Sequence, residues 1–218
     1  MIIADVDNVR GSEAESRLRG ETITADFMPV DVTDETSVQT MASAALDRYD
    51  QIDIVINAAG WTYVAPFVES TVDLWQRIVD INFLGTLRIT PAFLPAMISR
   101  QAGKIVNIAS DAGRVGSTGE SAYAGAKGGI IAFSKSLARE VARYGINVNC
   151  ICPGPTDTPL LAAARSEQDR EALIRATPFR RLAKPTEVAD AVLFFSGSQS
   201  DFITGQVLSV SGGLTMAG

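Results

Sequence analysis

Histidine is absent from this chain of 218 residues. Its absence excludes hydrolases built on a Ser-His-Asp or Cys-His arrangement, and zinc sites that use histidine ligands. Any acid–base chemistry must therefore come from carboxylates, lysine or tyrosine, and we expect no metal site.

Cysteine is scarce, with only Cys150 and Cys152 in the sequence. We expect these two side chains to point to opposite faces of an extended strand, which would prevent a disulfide between them. Two buried thiols in a reducing compartment are the better interpretation.

The chain also lacks a run of like charge and an uninterrupted apolar stretch of membrane-spanning length. Its 19 basic and 25 acidic residues give a formal net charge of −6 and form no basic patch of the kind that binds nucleic acid. No basic leader or cleavage signature is evident at the N-terminus. We therefore expect a cytoplasmic protein with no nucleic-acid or membrane partner. The hydrophobic content of 46% supports one sizeable core, hence a single domain over residues 1–218.

Short apolar runs alternate with amphipathic stretches along the whole chain. This pattern predicts a parallel sheet covered by helices on both faces. The predicted strands cover residues 1–4, 26–30, 52–57, 103–109, 146–152 and 206–211, and the predicted helices cover 13–20, 37–49, 74–100, 121–144 and 187–195. Residues 159–185 follow a proline-glycine break and are predicted to form a substrate lid, although a pair of surface helices is an equal alternative.

Tyr123 and Lys127 stand four residues apart and would share one face of a helix. A lysine ammonium beside a phenol favours the phenolate, so we expect Lys127 to lower the pKa of Tyr123 towards neutral pH. A tyrosine tuned in this way is a candidate general acid–base, with the Ser110 hydroxyl thirteen residues upstream. The pair alone is common on helix surfaces, so the neighbouring motifs decide its meaning.

Four short segments occur in a fixed order: Asp31-Val32, Asn57-Ala58-Ala59-Gly60, the group of Asn82, Ser110, Tyr123 and Lys127, and the run from Pro153 to Thr158. Together they resemble the short-chain dehydrogenase/reductase family, and the resemblance extends along nearly the whole chain. It implies a Rossmann-type, doubly wound parallel sheet, a nicotinamide cofactor and hydride transfer between a carbonyl and an alcohol.

The resemblance also implies a role for each residue of the third segment. Tyr123 would exchange a proton with the substrate oxygen, and Ser110 would hydrogen-bond the same oxygen. Lys127 would lower the pKa of Tyr123 and hold the nicotinamide ribose. Asn82 would anchor a water molecule that links the lysine to solvent.

The cofactor contacts follow from the same resemblance. Asp5 ends the first strand, where a carboxylate would accept hydrogen bonds from the adenosine ribose and repel a 2′-phosphate, so NAD is expected rather than NADP. A turn or helix cap is the alternative role for Asp5. The alternative role for Asn57 is to tie neighbouring strands together, and that for Gly60 is to let the backbone turn. The expected cofactor-binding residues are Asp5, Asp31, Val32, Asn57, Ala59, Gly60, Tyr123, Lys127, Pro153, Gly154, Thr156 and Thr158.

One part of the family pattern is missing. No glycine-rich turn precedes Asp5, so the first strand-turn-helix unit of the family is expected to be absent from this sequence. Since that strand would be central, its absence should expose the flanking strands and remove diphosphate contacts.

The substrate is the least determined feature. The segments 105–117, 152–158 and 202–216 are similar in sequence to 2-hydroxycyclohexanecarboxyl-CoA dehydrogenases. This similarity implies an NAD-dependent oxidoreductase that interconverts a secondary alcohol and a ketone, such as a cyclic hydroxyacyl-CoA. The alternatives are a 3-oxoacyl-[acyl-carrier-protein] reductase, and a catalytically silent scaffold that binds a partner. The family implies a homodimer or homotetramer. Candidate substrate-pocket residues are Trp61, Asp111, Ala112, Pro155 and Leu160.

Overall fold

The computed structural model describes residues 1–216 of the chain. Short parallel strands are separated by helices, so the predicted α/β, Rossmann-type arrangement is confirmed. Strands β3 to β6 form one parallel sheet in chain order, and β1 pairs with β2 in a separate parallel sheet. Within the described residues the strands are β1 (Ile2–Asp5), β2 (Asp26–Pro29), β3 (Ile54–Asn57), β4 (Gly103–Ile108), β5 (Ile146–Pro153) and β6 (Val207–Val210).

The helices lie between the strands and differ from the predictions mainly at their ends. Helix α1 begins at Asn8 rather than at residue 13, because the Asp7 carboxylate accepts hydrogen bonds from the N–H groups of Val9 and Arg10. The α-helices are α1 (Asn8–Gly20), α2 (Glu35–Tyr49), α3 (Val72–Val79), α4 (Gly85–Arg100), α5 (Ala112–Val115), α6 (Ser121–Val141), α7 (Pro159–Ala164), α8 (Glu167–Ala176) and α9 (Pro185–Ser196).

The core lies on both faces of strands β4 and β5. Val106, Val148 and Ile151 on these strands have no exposed surface. Side chains of α2, α4 and α6 pack on one face together with Val148, and Phe195 of α9 packs on the other face with Val106 and Ile151. Burial on both faces explains why these strands are nearly continuous apolar runs in the sequence.

The sheet is interrupted between β1 and β3. Each of these strands pairs with a single neighbour, and both line the same cavity of about 990 Å³. Ile54 and Ile56 of β3 remain 41% and 48% exposed, although inner strands of a parallel sheet normally bury both faces. The predicted exposure of the flanking strands is therefore confirmed.

The predicted helix over residues 74–100 is a longer segment, Val72–Arg100, with a π-helical turn at Asp80–Leu84 between α3 and α4. By length and composition alone it could cross a membrane. It packs as a core helix instead, because one side of it is buried against the rest of the molecule. The buried apolar side chains on that side are Ile78, Ile89, Phe93 and Met97.

The prediction that Cys150 and Cys152 point to opposite faces of a strand is wrong. Residues two apart in a strand point the same way, and both thiols lie in one buried cluster with Ala109 and Ile130. Both cysteines are free, and both are fully buried.

Candidate active site

The four candidate catalytic residues lie at the carboxyl end of the larger sheet, on three different elements. Ser110 follows strand β4, Asn82 lies in the π-helical turn, and Tyr123 and Lys127 occupy successive turns at the start of α6. Ligands of open parallel sheets bind at this edge. The structure thus brings together residues that are up to 45 positions apart in the sequence.

Ser110 lies beside Tyr123 and interacts with its phenol, which lowers the pKa of that phenol. The Ser110 hydroxyl also accepts a hydrogen bond of 3.2 Å from the N–H of Ala112, the first residue of α5. These contacts fix the hydroxyl beside the phenol, where both can reach one substrate oxygen.

Lys127 is 3% exposed, and its Nζ donates a 2.9 Å hydrogen bond to the carbonyl oxygen of Ile108. The same Nζ lies 5.8 Å from the centre of the Tyr123 ring. Burial lowers the pKa of Lys127 to about 8, because a low-dielectric environment disfavours the ammonium. Lys127 is therefore mostly charged at neutral pH and loses its proton under mildly alkaline conditions.

The predicted lowering of the Tyr123 pKa does not occur. Burial raises the pKa of Tyr123 to about 12; the hydrogen bond from Ser110 opposes this rise, and the Glu120 carboxylate adds to it. The Lys127 Nζ donates to the Ile108 carbonyl, lies 5.8 Å from the ring centre and is not among the groups that shift the pKa of Tyr123. Tyr123 consequently keeps its proton at neutral pH.

Asn82 is fully buried and ties the π-helical turn to the loop after β3. Its amide nitrogen donates to the carbonyl oxygens of Trp61 at 2.6 Å and Ile78 at 2.8 Å, and its oxygen accepts from the Trp61 N–H at 3.2 Å. π-Helical turns inside α-helices frequently mark functional sites. Here the turn places an amide beside Gly60 and Lys127.

Gly60 lies between the Asn82 amide and the Lys127 ammonium. A β-carbon at position 60 would lie 3.2 Å from the Asn82 Oδ1 and 3.5 Å from the Lys127 Nζ. The glycine therefore allows the loop backbone to pass close to both side chains.

Six of the predicted cofactor residues line the 990 Å³ cavity, which also touches Trp61. The Asp5 carboxylate accepts from the Asp7 N–H at 2.9 Å, and the Asp31 carboxylate accepts from the Thr33 N–H at 2.8 Å. The hydrogen bonds from Thr33 lower the pKa of Asp31, so this carboxylate is ionised at neutral pH. The six residues are Asp5, Asp31, Val32, Asn57, Ala59 and Gly60.

Asn57 performs the structural role that the sequence left open. Its amide nitrogen donates to the Asn107 Oδ1 at 2.8 Å and to the Thr90 Oγ1 at 3.4 Å. These bonds tie β3 to β4 and to α4, while the residue also lines the cavity.

Apart from Tyr123 and Lys127 on α6, the remaining cofactor candidates lie at or just after the end of β5, outside the lining of this cavity. The Thr156 hydroxyl donates to the Gly154 carbonyl at 3.0 Å, and the Thr158 hydroxyl accepts from the Leu161 N–H at 3.2 Å and so caps α7. The Pro153 carbonyl accepts from the Asp111 N–H at 3.1 Å, which joins this segment to the Ser110 loop. Two groups of candidate residues therefore flank the catalytic cluster.

The candidate substrate residues are spread over several surfaces. Asp111 is 5% exposed and its carboxylate accepts from the Ser209 hydroxyl, so it anchors the Ser110 loop to β6. The Arg77 guanidinium lies 4.2 Å from the centre of the Trp61 ring. Ala112 begins α5, Pro155 follows the end of β5, and Leu160 is partly exposed on α7.

A partly buried ion pair near Tyr123 was not predicted. The Glu120 carboxylate accepts from Arg165 at 2.7 Å, from Ser117 at 2.6 Å and from Thr62 at 3.1 Å. Glu120 is only three residues from Tyr123, which could have drawn attention to it, but nothing in the sequence indicates that Arg165 is its partner. Among residues 1–216, no group of three histidine, cysteine, aspartate or glutamate side chains could hold a metal ion.

Comparison with known proteins gives consistent matches over nearly the whole chain. The family model described as "Enoyl-(Acyl carrier protein) reductase" matches residues 1–215. The chain is 35% identical over 215 residues to 3-oxoacyl-[acyl-carrier-protein] reductase FabG of Vibrio harveyi, covering 99% of this chain and 87% of the relative. It is 39% identical over 188 residues to the protein of the same name from Chlamydia muridarum, covering 86% and 75%.

A solved structure of an actinorhodin polyketide ketoreductase variant with NADPH superposes with a TM-score of 0.93 at 31% identity. The match covers 98% of this chain and 86% of the ketoreductase.

Proposed function

The chain belongs to the short-chain dehydrogenase/reductase family of oxidoreductases, and from this premise we propose that it reduces a ketone to a secondary alcohol with a nicotinamide cofactor. The observation that carries the proposal is the neighbouring pair of Ser110 and Tyr123, with the buried Lys127 one helical turn away. Hydride transfer needs no protein nucleophile, so a proton donor and an oxygen-binding hydroxyl are what the protein must supply.

The residues fit the two ends of such a cofactor. Asp5 and Asp31 place carboxylates in the cavity, where Asp5 would hold the adenosine ribose and Asp31 with Val32 the adenine. The Lys127 ammonium would hold the nicotinamide ribose, because Gly60 leaves the space in front of it free of a side chain. Thr156 and Thr158 would face the amide and the diphosphate.

The structure offers fewer contacts for the diphosphate of the cofactor. Helix α1 follows β1, but the Asp7 carboxylate already accepts from the N–H groups of Val9 and Arg10 at its N-terminus. An anionic diphosphate would have to compete with that carboxylate there. Contacts at the adenosine and nicotinamide ends would therefore carry most of the binding in the described chain.

The protonation state of Tyr123 favours reduction. When bound, the reduced nicotinamide supplies hydride to the carbonyl carbon. As negative charge develops on the substrate oxygen, Tyr123 donates its proton to that oxygen, and Ser110 holds the oxygen in place. A pKa of about 12 keeps Tyr123 protonated at neutral pH, ready to donate.

We propose a 3-oxoacyl thioester as the substrate class, because two of the relatives are named 3-oxoacyl-[acyl-carrier-protein] reductase. A cyclic hydroxyacyl-CoA is the second candidate, supported by the similarity of the segments 105–117 and 202–216 noted above. NAD is proposed as the cofactor on the charge of Asp5, although the matched ketoreductase was solved with NADPH.

The same family membership supports a cytoplasmic homodimer or homotetramer that acts on a small acyl substrate. Residues 159–185 are proposed as the substrate lid of a single domain. Helices α7 and α8 of this segment have no buried residue, as expected for an element that can move.

The test is ketone reduction by the wild type and by Tyr123→Phe. Acetoacetyl-CoA and the CoA thioester of 2-oxocyclohexanecarboxylate are each offered with NADH or NADPH. We expect turnover of at least one substrate by the wild type and a loss of about 10²- to 10⁴-fold in Tyr123→Phe, with unchanged cofactor affinity by fluorescence titration. Full activity in Tyr123→Phe would overturn the role of Tyr123, and no cofactor binding by the wild type would overturn the proposed function.

A further inference from the structure

Glu120 occupies an unusual position for a carboxylate, at the start of the helix that carries Tyr123. Its side chain is 12% exposed and lies three residues before Tyr123. An ion of low exposure is unfavourable unless it is paired and hydrogen-bonded. Three partners, each from a different loop or helix end, provide that compensation.

The first two partners come from loops that border the catalytic cluster. The Thr62 hydroxyl, in the loop after β3, donates to the Glu120 Oε1 at 3.1 Å. The Ser117 hydroxyl, in the loop after α5, donates to the Glu120 Oε2 at 2.6 Å. These contacts hold the carboxylate in place independently of α7 and α8.

The third partner, Arg165, comes from the proposed lid. It follows the last residue of α7, is 17% exposed, and its Nη2 donates to the Glu120 Oε2 at 2.7 Å and to the Ser117 Oγ at 3.5 Å. Since α7 and α8 have no buried residue, apolar packing holds them weakly, and this ion pair ties them to the catalytic helix.

We propose that Glu120 and Arg165 form a latch that ties α7 and α8 to the start of the catalytic helix and offsets part of the Glu120 charge beside Tyr123. The proposal extends the proposed function, since it assigns a positioning role to two residues that do not touch the reacting atoms. Opening the latch exposes Tyr123 to an uncompensated carboxylate and makes the phenol a weaker acid.

The charged and titratable groups that face Tyr123 bear on this effect. Glu120 and Cys152 raise the pKa of Tyr123, the hydrogen bond from Ser110 lowers it, and Lys127 lies beside the ring. Arg165 carries the opposite charge from Glu120, so its removal should shift the pKa of Tyr123 in the opposite direction.

The experiment follows the titration of Tyr123 itself. The ring carbon that bears the hydroxyl is labelled with ¹³C, and its NMR resonance is assigned by its loss in Tyr123→Phe. In Glu120→Gln the titration should begin about 0.5 to 1 pH unit lower, because the charge is removed while a hydrogen-bond acceptor remains. In Arg165→Gln the titration of Tyr123 should begin at a pH that is higher by a similar amount, because the Glu120 carboxylate is left without its ion-pair partner.

The matched control is Arg170→Gln. Arg170 lies on α8 and pairs with the exposed Asp157 at 3.4 Å, so this variant makes the same charge change in the same segment without affecting Glu120. It should leave the titration of Tyr123 unchanged. In the double variant Glu120→Gln/Arg165→Gln both charges are removed, so the titration of Tyr123 should lie between those of the two single variants.

Hydrogen exchange of residues 159–176 tests the mechanical part and needs no turnover. Arg165→Gln should accelerate exchange in α7 and α8 by about tenfold, which Arg170→Gln should not do, and Arg165→Lys should restore part of the protection. Unchanged hydrogen exchange in Arg165→Gln would overturn the latch. If Glu120→Gln and Arg165→Gln shift the titration of Tyr123 in the same direction, the charge effect is overturned. Both readouts remain valid if the enzyme reduces none of the tested ketones, so a failure of the proposed function is distinguishable from a failure of the latch.

Discussion

The Nζ of Lys127 donates its 2.9 Å hydrogen bond to the carbonyl oxygen of Ile108, the last residue of strand β4. This contact joins the catalytic helix to the strand that precedes Ser110. It also places a charged side chain with 3% exposure in the interior of the molecule. The cost of that burial depends on pH, which makes it measurable.

Replacing Lys127 by methionine should change how stability depends on pH. Below pH 8 the folded wild type carries the buried ammonium, and the cost of burying this charge lowers its free energy of unfolding. Between pH 8 and about 10.5 the folded state loses the proton while the unfolded state keeps it, so the wild type gains stability as the pH rises. The difference in free energy of unfolding, Lys127→Met minus wild type, should therefore fall by about 3 kcal/mol across this window in urea titrations.

The control for this experiment is Lys135→Met, at an exposed position of the same helix. Its difference from the wild type should stay constant between pH 8 and 10.5. A flat difference for Lys127→Met as well would contradict the view that Lys127 is buried in its charged form.

Gly60→Ala should strain the contact between the loop after β3 and Asn82. The new β-carbon would lie 3.2 Å from the Asn82 Oδ1. The Asn82 amide must therefore move away from the Trp61 N–H, from which its Oδ1 accepts a hydrogen bond. We expect a loss of about 1 kcal/mol in the free energy of unfolding and weaker cofactor binding. Gly125→Ala is the control: nothing lies within 4 Å of its β-carbon, and it should stabilise α6 by about 0.5 to 1 kcal/mol. Equal effects of the two substitutions would show that the close approach at Gly60 is unimportant.

Asp5→Asn should relax the discrimination against NADPH. Asp5 lines the cavity at the end of β1, and its negative charge would repel a 2′-phosphate. The ratio of kcat/KM with NADH to that with NADPH should fall about tenfold, which corresponds to roughly 1.4 kcal/mol. Asp47→Asn removes the same charge from an exposed position of α2 outside the cavity lining and should leave the ratio unchanged. If the two variants behave alike, Asp5 does not determine the cofactor.

The elements that the sequence predicted well are those with a purely local cause. Strands β4 and β5 were predicted to within about a residue or two of their ends because burial on both faces leaves an apolar run, as at Val106 and Ile151. The placement of Tyr123 and Lys127 on one helix also follows from local pattern, since a spacing of four residues fixes the face.

The features that the sequence did not predict arise from packing between distant segments. Arg165 meets Glu120 across 45 residues, and no periodicity signals such a pairing. The pKa of Tyr123 depends on how deeply the phenol is buried, which outweighed the expected effect of Lys127. The π-helical turn at Asp80–Leu84 carries Asn82, whose hydrogen bond to Trp61 reaches another loop.

The interruption of the sheet between β1 and β3 leads to a last prediction. Ile54 and Ile56 expose 41% and 48% of their surface towards the 990 Å³ cavity, which is wide enough to admit an aromatic dye. The native protein should therefore enhance the fluorescence of anilinonaphthalene sulfonate, which reports accessible apolar surface. Ile54→Ser/Ile56→Ser should remove most of that enhancement, with far-UV circular dichroism confirming that the variant stays folded. Phe202→Ser is the control, because this side chain is fully exposed and does not line the cavity, so its loss should change the fluorescence little. If the control loses as much fluorescence as the double variant, the dye binds general surface rather than the cavity between the two sheets.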